Sequence, residues 1–292
     1  MNYYLIDGYN MAFRSFYAMP ELTRSDGFPT GALHAFFAGI IKLCSRDTPH
    51  KTAIFFDKGG SQRHRETYAD YKANRAEMPE ALRAQMPAIF ELCKRMGFFV
   101  KSIEGVEADD ILASAAEKLA EAENQIFLIS SDKDFAQLIR PGVKQLLPPL
   151  KSNLDWRELD TVGVLLKFGV SPNQIPDFLA LVGDSADNIP GIQGVGPKTA
   201  AKWLKDFGNI ENLLKRASWI KPEKFREVVA NSENLLRRNL DLVTLDRNVD
   251  LGELEFSDPD FAELQKFLQS MEMKRALLTL KNFALNQYQI NL

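Results

Sequence analysis

Nine carboxylates in this chain stand at or just after the ends of apolar runs. They are Asp7, Asp57, Glu107, Asp109, Asp110, Asp132, Asp134, Asp184 and Asp187, in the segments YYLID, TAIFFD, GVEADD, QIFLISSDKD and LALVGDSADN. An acid in this position is typical of a parallel strand's end or of the next helix's start, and open α/β sheets place their sites at that end. We therefore expect the nine acids to line one cleft.

Carboxylates that crowd one cleft need a counter-charge. Without positive charge nearby they cannot all be ionised, so either several hold protons or divalent cations neutralise them. The number of acids, nine, favours bound metal over shared protons. Their hard oxygen ligands select Mg²⁺ or Mn²⁺ over Zn²⁺. For any one aspartate, a turn or a helix N-cap is an equally good explanation, so the prediction depends on the whole set.

The elements that must position these acids begin with an α/β pattern. Strands are predicted at 3–7, 52–57, 98–103 and 126–130, and helices at 31–46, 79–96 and 108–122. This alternation predicts a mostly parallel central sheet with helices on both faces. LLPPLKSN at 146–153 interrupts it, so we expect this α/β core, which holds the acidic cleft, to span 1–150.

A helical region is expected over 151–292. Its helices are predicted at 155–168, 172–182, 197–206, 209–216, 222–230, 232–240 and 258–269. Composition agrees with a folded protein, because 45% of the 292 residues are hydrophobic. The N-terminus has no signal-like segment, and no apolar stretch approaches the roughly 18 residues of a membrane span, so we expect a cytoplasmic protein without membrane contact.

Cysteines and histidines add no second metal site to the prediction. Cys44 and Cys93 occur in apolar helical patterns without a CxxC motif, so we expect two buried free thiols. His34, His50 and His64 share no ligand spacing, and we interpret them as ordinary residues.

The net charge of −3 hides a basic remainder, because the chain without its nine clustered acids would have a charge of +6. Positive residues concentrate at 63–75, 196–205 and 215–226. Such clusters are expected of a protein that contacts a nucleic-acid backbone. Solvated helix faces are the alternative for each cluster taken alone.

A helix-hairpin-helix is predicted at about 188–207. Gly194 and Gly196 allow a tight turn, and Pro197 suits the first position of the helix that follows. Such an N-terminus favours phosphate, so the motif binds a phosphate backbone without contacting bases. The candidate contacts are Gly194, Gly196, Lys198, Thr199 and Lys202. A dinucleotide-binding fingerprint would need a preceding strand and a third glycine. A purely structural helix-turn-helix remains an alternative.

The chain resembles the 5′-nuclease domain of bacterial DNA polymerase I, of the flap endonuclease family, over nearly its whole length. The matching motifs are LIDG (5–8), FFD (55–57), YKANR (71–75), GVEADD (105–110), SDKDFAQL (131–138), GDSADNIPG (183–191) and GVGPKTA (194–200). The resemblance implies a monomeric, metal-dependent phosphodiesterase of replication and repair. It would act on 5′ flaps, nicks and free 5′ ends of DNA and on RNA primers annealed to DNA. We expect a free-standing nuclease or an excised domain.

The resemblance also implies two, or three, Mg²⁺ or Mn²⁺ ions and a K⁺ ion at the helix-hairpin-helix. It assigns to the inner metal site Asp7, Asp57, Glu107, Asp109, Asp110 and Asp132. It assigns Asp134, Asp184 and Asp187 to the second site, with Asp132 able to bridge. Two metals about 3.5–4 Å apart can activate water, relieve charge on the phosphate and stabilise the leaving oxygen. Some contacts are expected to run through water.

The motif YKANR is implied to act on the reacting phosphate. Lys72 and Arg75 lie three residues apart at the start of a predicted helix, so they share a face and could point at the cleft. Tyr71 is a candidate DNA contact. Family members have an arch here that a single-stranded 5′ end passes beneath, and we place it at about 72–86. Four aromatic residues could stack on a base or pack in the core: Tyr9, Phe13, Phe16 and Tyr17.

Two other functions are weighed against this one. A non-catalytic flap-binding protein of the same fold would be expected to lack the second-site acids, yet Asp184 and Asp187 are present. A PIN-like ribonuclease would be a compact α/β domain without the motif GVGPKTA.

Overall fold

A six-stranded sheet lies at the centre of the part of the chain that the computed structural model describes, which is residues 1–19, 21–47, 50–121, 123–149 and 155–292. Its strands are β1 (Asn2–Asp7), β2 (His50–Phe55), β3 (Phe99–Lys101), β4 (Gln125–Ile129), β5 (Val143–Leu147) and β6 (Arg157–Leu159). They lie in the order β3-β2-β1-β4-β5-β6, and every neighbouring pair is parallel except β5 and β6. The predicted fold class is confirmed.

Helices cover both faces of this sheet. They are α1 (Gly8–Ala18), α2 (Gly31–Cys44), α4 (Glu80–Arg95) and α5 (Ala108–Lys118), while the short helix α3 (Gln62–Thr67) stands between β2 and α4 in the chain. Side chains alternate across the strands, so Tyr4 and Ile6 pack with α2 and α4 on one face, while Leu5 packs with α5 on the other. Strands buried on both faces explain why the sequence shows continuous apolar runs.

A second group of helices follows the sheet. It contains α6 (Thr161–Phe168), α7 (Ile175–Val182), α8 (Pro197–Phe207), α9 (Ile210–Lys215), α10 (Arg226–Ala230) and α11 (Glu233–Val243). A two-stranded hairpin of β7 (Gly183–Asp184) and β8 (Ile189–Pro190) stands between α7 and α8. These helices have their own apolar core, in which Trp203 is 1% exposed.

The last two helices return to the first core. These helices, α12 (Phe261–Ser270) and α13 (Lys274–Tyr288), bury Leu264, Leu268 and Leu280 in the cluster that also holds α2 and α4. Their apolar stripes therefore complete one face of the sheet. The division into 1–150 and 151–292 stays a prediction, and residues 150–154, where the boundary was placed, lie outside the described residues.

Other differences from the predicted elements are local. A helix was predicted over 155–168, but β6 occupies its first part and pairs with β5. The helix at 274–288 was not predicted. The predicted end of the helix at 108–122 lies on residue 122, which is outside the described residues; α5 ends at Lys118. Cys44 and Cys93 are buried free thiols, as predicted.

No helix within the described ranges combines the length and the apolar character that crossing a bilayer requires.

Candidate active site

Four of the nine acids line one cavity at the carboxyl edge of the sheet. The chain leaves β1 towards β2 and β3 on one side and then adds β4 on the other, so the gap between β1 and β4 is the switch point of the topology. Asp7 ends β1, and Asp132 follows β4. These two acids, with Asp57 and Asp109, line a cavity of about 420 Å³.

Backbone hydrogen bonds hold these acids in place. Asp7 is the N-cap of α1, since its Oδ1 accepts the Asn10 N–H at 3.0 Å. Asp57 Oδ1 accepts the Ala108 N–H at 2.7 Å, where α5 begins. Each of these side chains therefore caps a helix and also lines the cavity. A structural role as a helix cap and a role in the site apply to the same aspartates.

A second acidic group lies beside the first. One carboxylate oxygen from each of Asp134, Asp184 and Asp187 lies within 4.8 Å of the others. Asp132 connects the two groups, because its Oδ1 accepts the Asp134 N–H at 2.9 Å. Oδ1 of Asp134 is buried and has no hydrogen-bond partner among the residues that the structure describes. A buried, unsatisfied carboxylate oxygen fits a cation, since burial without a partner is costly.

Two glycines shape the hairpin that presents Asp184 and Asp187. Gly183 has φ +80°, and a Cβ there would lie 2.3 Å from the Gly191 nitrogen. A Cβ on Gly191 would lie 2.2 Å from the Val182 oxygen. The motif GDSADNIPG therefore needs glycine at both ends, because its two arms approach at backbone distance.

The acids of the cavity resist ionisation. Burial raises the pKa of Asp7 to about 7, and the nearby charges of Asp57 and Asp132 add to this rise. Burial likewise raises the pKa values of Asp57 and Asp132, and it raises that of Asp109 and Asp134 well above the ordinary value. This shortage of positive charge is the condition that divalent cations would relieve.

Glu107 is the exception. Its Oε1 accepts a hydrogen bond from Lys72 Nζ at 2.6 Å, and its Oε2 accepts one from the Tyr71 hydroxyl at 3.0 Å. Burial opposes its ionisation, but contacts with His64 and Lys72 outweigh burial and lower the pKa of Glu107 to about 2. Side chains of the protein thus neutralise this acid.

Asp110 also differs from the acids of the cavity. Its Oδ1 accepts the Asp246 N–H at 2.8 Å, and the described lining of the cavity does not include it. Burial raises its pKa. The structure therefore separates Asp110 from Asp109, its neighbour in the sequence, because successive residues of a helix face different directions.

Lys72 and Arg75 reach the acids from a turn, not from a helix. The prediction that Lys72 and Arg75 begin a helix is wrong, because α4 begins at Glu80 and residues 69–74 form turns. Lys72 has φ +57° and donates its backbone N–H to the backbone carbonyl oxygen of Asp187 at 3.0 Å. Its Nζ lies 3.8 Å from Asp187 Oδ2, and an Arg75 guanidinium nitrogen lies 2.6 Å from Asp187 Oδ1.

The aromatic candidates separate into groups. Tyr9, Phe13 and Tyr17 line the cavity, and Tyr17 is 74% exposed. Tyr9, Phe13 and Phe16 all pack against the apolar core, and Phe16 is not part of the described cavity lining. Tyr71, predicted as a DNA contact, is 8% exposed and directs its hydroxyl at Glu107, so its position is that of an internal residue.

Three functional candidates were missed in the sequence. Arg14 lines the cavity, and Lys133 Nζ lies 2.9 Å from Asp184 Oδ1. The sequence could have indicated both residues, since Arg14 lies two helical turns after Asp7 and Lys133 stands between the two acids of SDKD. The third, His64, is buried against Glu107, with 3.4 Å between Nδ1 and Oε2. No local pattern distinguishes it from a surface histidine.

The predicted helix-hairpin-helix has a basic, open N-terminus. Gly196 is the N-cap of α8, Pro197 is its first residue, and a Cβ on Gly196 would meet nothing within 4 Å. Lys198 and Lys202 are exposed on one side of α8, while Trp203 and Leu204 are buried on the other. Gly194 has φ +78° in the turn. The preceding helix is α7, so the range 188–207 holds β8, the turn, α8 and no first helix.

Solved structures share this fold. The T5 D15 protein co-crystallised with metal ions matches with a TM-score of 0.69 at 24% identity, over 97% of this chain and 98% of that chain. The catalytic core of Rad2 in complex with a DNA substrate matches with a TM-score of 0.63 at 18% identity, over 95% of this chain and 92% of that chain. Likeness at these identities concerns the fold alone.

Relatives of higher identity include a 5′-3′ exonuclease and the larger DNA polymerase I. A 5′-3′ exonuclease of Aquifex aeolicus is 39% identical over 279 residues, which are 94% of this chain and 93% of the relative. A thermostable DNA polymerase I of Thermus thermophilus is 36% identical over 271 residues, 92% of this chain and 32% of the relative. The chain thus spans about a third of the length of such polymerases.

Two family models together match residues 2–267 of the chain. The model described as 5′-3′ exonuclease, N-terminal resolvase-like domain, matches residues 2–169. The model described as 5′-3′ exonuclease, C-terminal SAM fold, matches residues 170–267. Since these models cover both the acidic sheet edge and the turn before α8, and a relative of similar length agrees, the chain belongs to the 5′-3′ exonuclease family.

Proposed function

We propose that this protein hydrolyses phosphodiester bonds at 5′ flaps, nicks and free 5′ ends of DNA, and in RNA primers annealed to DNA. We further propose that it works as a monomer in the cytoplasm, in replication and repair. The main support is the meeting of two acidic groups at one sheet edge, with Lys72 and Arg75 reaching over Asp187. Family membership supplies the reaction class.

The two acidic groups fit two divalent ions, Mg²⁺ or Mn²⁺, because all their ligand atoms are hard oxygens. Asp7, Asp57, Asp109 and Asp132 would hold the inner ion. Asp134, Asp184 and Asp187 would hold the other. When bound, such ions supply an activated water and stabilise charge on the phosphate and the leaving oxygen. The assignment of Glu107 and Asp110 to the inner ion stays a prediction; in the structure Lys72 and Tyr71 engage the two oxygens of Glu107, and the Asp246 N–H engages Oδ1 of Asp110.

The basic side chains orient and neutralise the phosphate. Lys72 is positively charged, because the charges of Glu107 and Asp187 outweigh burial and raise the pKa of its ammonium. Arg75 is 48% exposed in its side chain and can leave Asp187 for a phosphate oxygen. Tyr9, Phe13 and Tyr17 border the same cavity and present rings on which a base near the scissile bond could stack.

The helix-hairpin-helix is proposed to bind the duplex away from the reacting bond. Lys198 and Lys202 are exposed beside the open N-terminus of α8, which favours phosphate. Solved relatives of this fold are described as complexes with DNA, including a T5 D15 flap endonuclease with DNA and metal ions and the Rad2 core with DNA substrate. The K⁺ ion at this motif remains a prediction.

The alternatives are less well supported. A flap-binding protein without activity has no need of the unsatisfied Asp134 oxygen beside Asp184 and Asp187. A compact PIN-like ribonuclease does not account for the helices α7 to α11 and their separate core.

The proposal is tested with purified protein and Mg²⁺ on labelled single-stranded, duplex, nicked and 5′-flapped DNA. Product length separates flap cutting from stepwise removal of nucleotides. We expect cleavage near the junction of the flapped substrate and none in EDTA. Binding to the flap without cleavage in either Mg²⁺ or Mn²⁺ would favour the non-catalytic alternative.

A further inference from the structure

A buried histidine lies behind the proposed site without a role in the chemistry described so far. His64 is 3% exposed and lies on α3, where its backbone N–H is bonded to the capping Ser61 Oγ at 3.1 Å. Its ring meets the Tyr71 ring edge to face, with centroids 4.9 Å apart. Its Nδ1 lies 3.4 Å from Glu107 Oε2. The imidazole is therefore fixed on three sides.

The neighbour of the other ring nitrogen defines the tautomer. Nε2 of His64 lies 3.0 Å from an Arg63 guanidinium nitrogen, and that nitrogen also donates to the Asp241 carbonyl at 3.1 Å. A guanidinium has donors only, so Nε2 accepts and the proton resides on Nδ1. Nδ1 is buried and makes no hydrogen bond of ordinary geometry within the described part of the chain. Its N–H faces Glu107, and such contacts often tighten when substrate binds.

Glu107 in turn holds Lys72. The Lys72 backbone is left-handed, at φ +57°, a conformation that is strained for a residue with a side chain. Two contacts stabilise it: the ion pair of Nζ with Glu107 Oε1 at 2.6 Å and the backbone bond to Asp187. A Glu107 side chain free to rotate would no longer direct the ammonium towards the acids.

We propose that His64 is a positioning residue, which fixes Glu107 and through it places the Lys72 ammonium over the acidic cleft. This inference rests on the proposed function, because Lys72 is taken to contact the reacting phosphate. His64 itself touches neither the phosphate nor the acids of the cavity. It connects α3 and, through Arg63, α11 to the turn that holds Lys72.

Two substitutions distinguish positioning from packing. His64→Phe keeps an aromatic ring against Tyr71 but removes the donor. His64→Asn removes the ring but keeps an N–H close to the place of Nδ1. If His64 positions Glu107, single-turnover cleavage of a 5′-flap falls about tenfold in His64→Phe, and His64→Asn recovers most of that loss. Flap affinity stays within about twofold in both. Packing alone predicts the reverse order.

A double-mutant cycle tests the path through Lys72. In the Lys72→Ala background, His64→Phe should cause no further loss of rate, since the group that it positions is gone. Full additivity overturns the proposal. His34→Phe is the matched control, because His34 lies half-buried on α2 with Nδ1 2.9 Å from the Thr30 oxygen, and it should leave the rate unchanged.

A measurement without DNA separates this inference from the proposed function. Acetylation of Lys72 by a water-soluble acylating reagent, followed by mass spectrometry, reports how firmly the ammonium is held. We expect faster acetylation in His64→Phe than in wild type, and wild-type behaviour in His64→Asn. If the wild type cuts no substrate, the proposed function fails, while this comparison still decides the positioning role. Equal acetylation of Lys72 in all three proteins overturns it.

Discussion

Charge compensation differs from one acid of the site to the next. Glu107 is neutralised by Lys72 and receives the Tyr71 hydroxyl, and Asp187 pairs with Arg75 at 2.6 Å. Asp7, by contrast, has a pKa raised to about 7 by burial, and Asp134 keeps a buried oxygen without a partner in the described structure. Asp7 and Asp134, which have no basic side chain paired with them within the described ranges, are therefore the acids whose charge a metal ion would stabilise most.

Replacing Asp184 and Asp187 together by asparagine should abolish cleavage and leave flap binding measurable. The change removes two of the three oxygens that meet in the second group. We expect the single-turnover rate to fall at least on the order of 10²-fold, with affinity reduced far less, because charge stabilisation is lost before phosphate contacts. Rapid-quench kinetics and fluorescence anisotropy measure the two effects.

The control for this variant is Asp160→Asn, since Asp160 caps α6 by accepting the Gly163 N–H at 2.8 Å and asparagine can do the same. It should cut at the wild-type rate. Wild-type turnover in the double variant at saturating Mg²⁺ would exclude Asp184 and Asp187 as ligands. Both proteins should fold, because asparagine keeps the side-chain volume and can still accept the Ala186 N–H.

Stability of the metal-free protein should fall as the pH rises through about 7. Burial raises the pKa of Asp7 to about 7, so the folded state holds a proton that the unfolded state releases near pH 4. Asp57, Asp109, Asp132 and Asp134 shift in the same direction. Glu107, with a pKa of about 2, contributes in the opposite sense but only at much lower pH.

Thermal unfolding in EDTA and in Mg²⁺ checks this dependence. Bound cations replace the protons that the acids lose at high pH. The rise in Tm on adding Mg²⁺ should therefore be larger at pH 8 than at pH 5.5, by on the order of 5 °C. Asp7→Asn should weaken the pH dependence in EDTA. An increase in metal-free Tm between pH 5.5 and pH 8 would contradict the raised pKa values.

At the scale of elements, sequence patterns predicted the parts that follow a period. The four predicted strands and the helices α2, α4 and α5 appear within a few residues, because their buried faces repeat regularly. β6 escaped prediction because three residues with a single buried Leu159 show no period. The turn at 69–74 escaped because its shape depends on Asp187 and Glu107, which are distant in sequence.

The residues of the candidate site were predicted only in part, as were the elements of the fold. Position after apolar runs predicted one cleft for the nine acids, and Asp7, Asp57, Asp109 and Asp132 line one cavity. It could not separate Asp109 from Asp110, since helix rotation decides which of two neighbours faces the cavity. His64 could not be identified either, because its role depends on a contact with a residue 43 positions away.

The segment between α3 and α4 leads to a prediction about the 5′ end of the substrate. Residues 73–77 are exposed, and the next helix buries Leu82 and Met86 in the core. The proposed arch is therefore confined to about 72–79. If a single strand passes beneath it, a bulky group on the 5′ end should slow flap cutting by about tenfold or more in single-turnover assays. An equal rate with free and blocked ends would show that the strand does not thread.

At the scale of the whole molecule, recognition should depend on shape and phosphates. Exposed lysines stand on α8, whose buried side packs in the second apolar core, while Arg14 and Arg75 line the acidic cavity at the edge of the sheet. We expect flap affinity to fall steeply with salt, with a log–log slope of several units, and to change little when the flap sequence is permuted. Titrations by anisotropy at several salt concentrations measure the slope. A slope near zero, or strong sequence preference, would contradict backbone recognition.

The return of α12 and α13 to the first core affects the order in which this molecule can be made. Leu264, Leu268, Leu280 and Phe283 fill the same cluster as Tyr4 and Ile6, which are translated first. During synthesis, β1 is complete long before α12 and α13, which are encoded more than 250 residues later, can pack against this face of the sheet. Until α13 leaves the ribosome, that apolar face stays open to chaperones. A nascent chain arrested at residue 250 should therefore remain sensitive to protease across its first sheet.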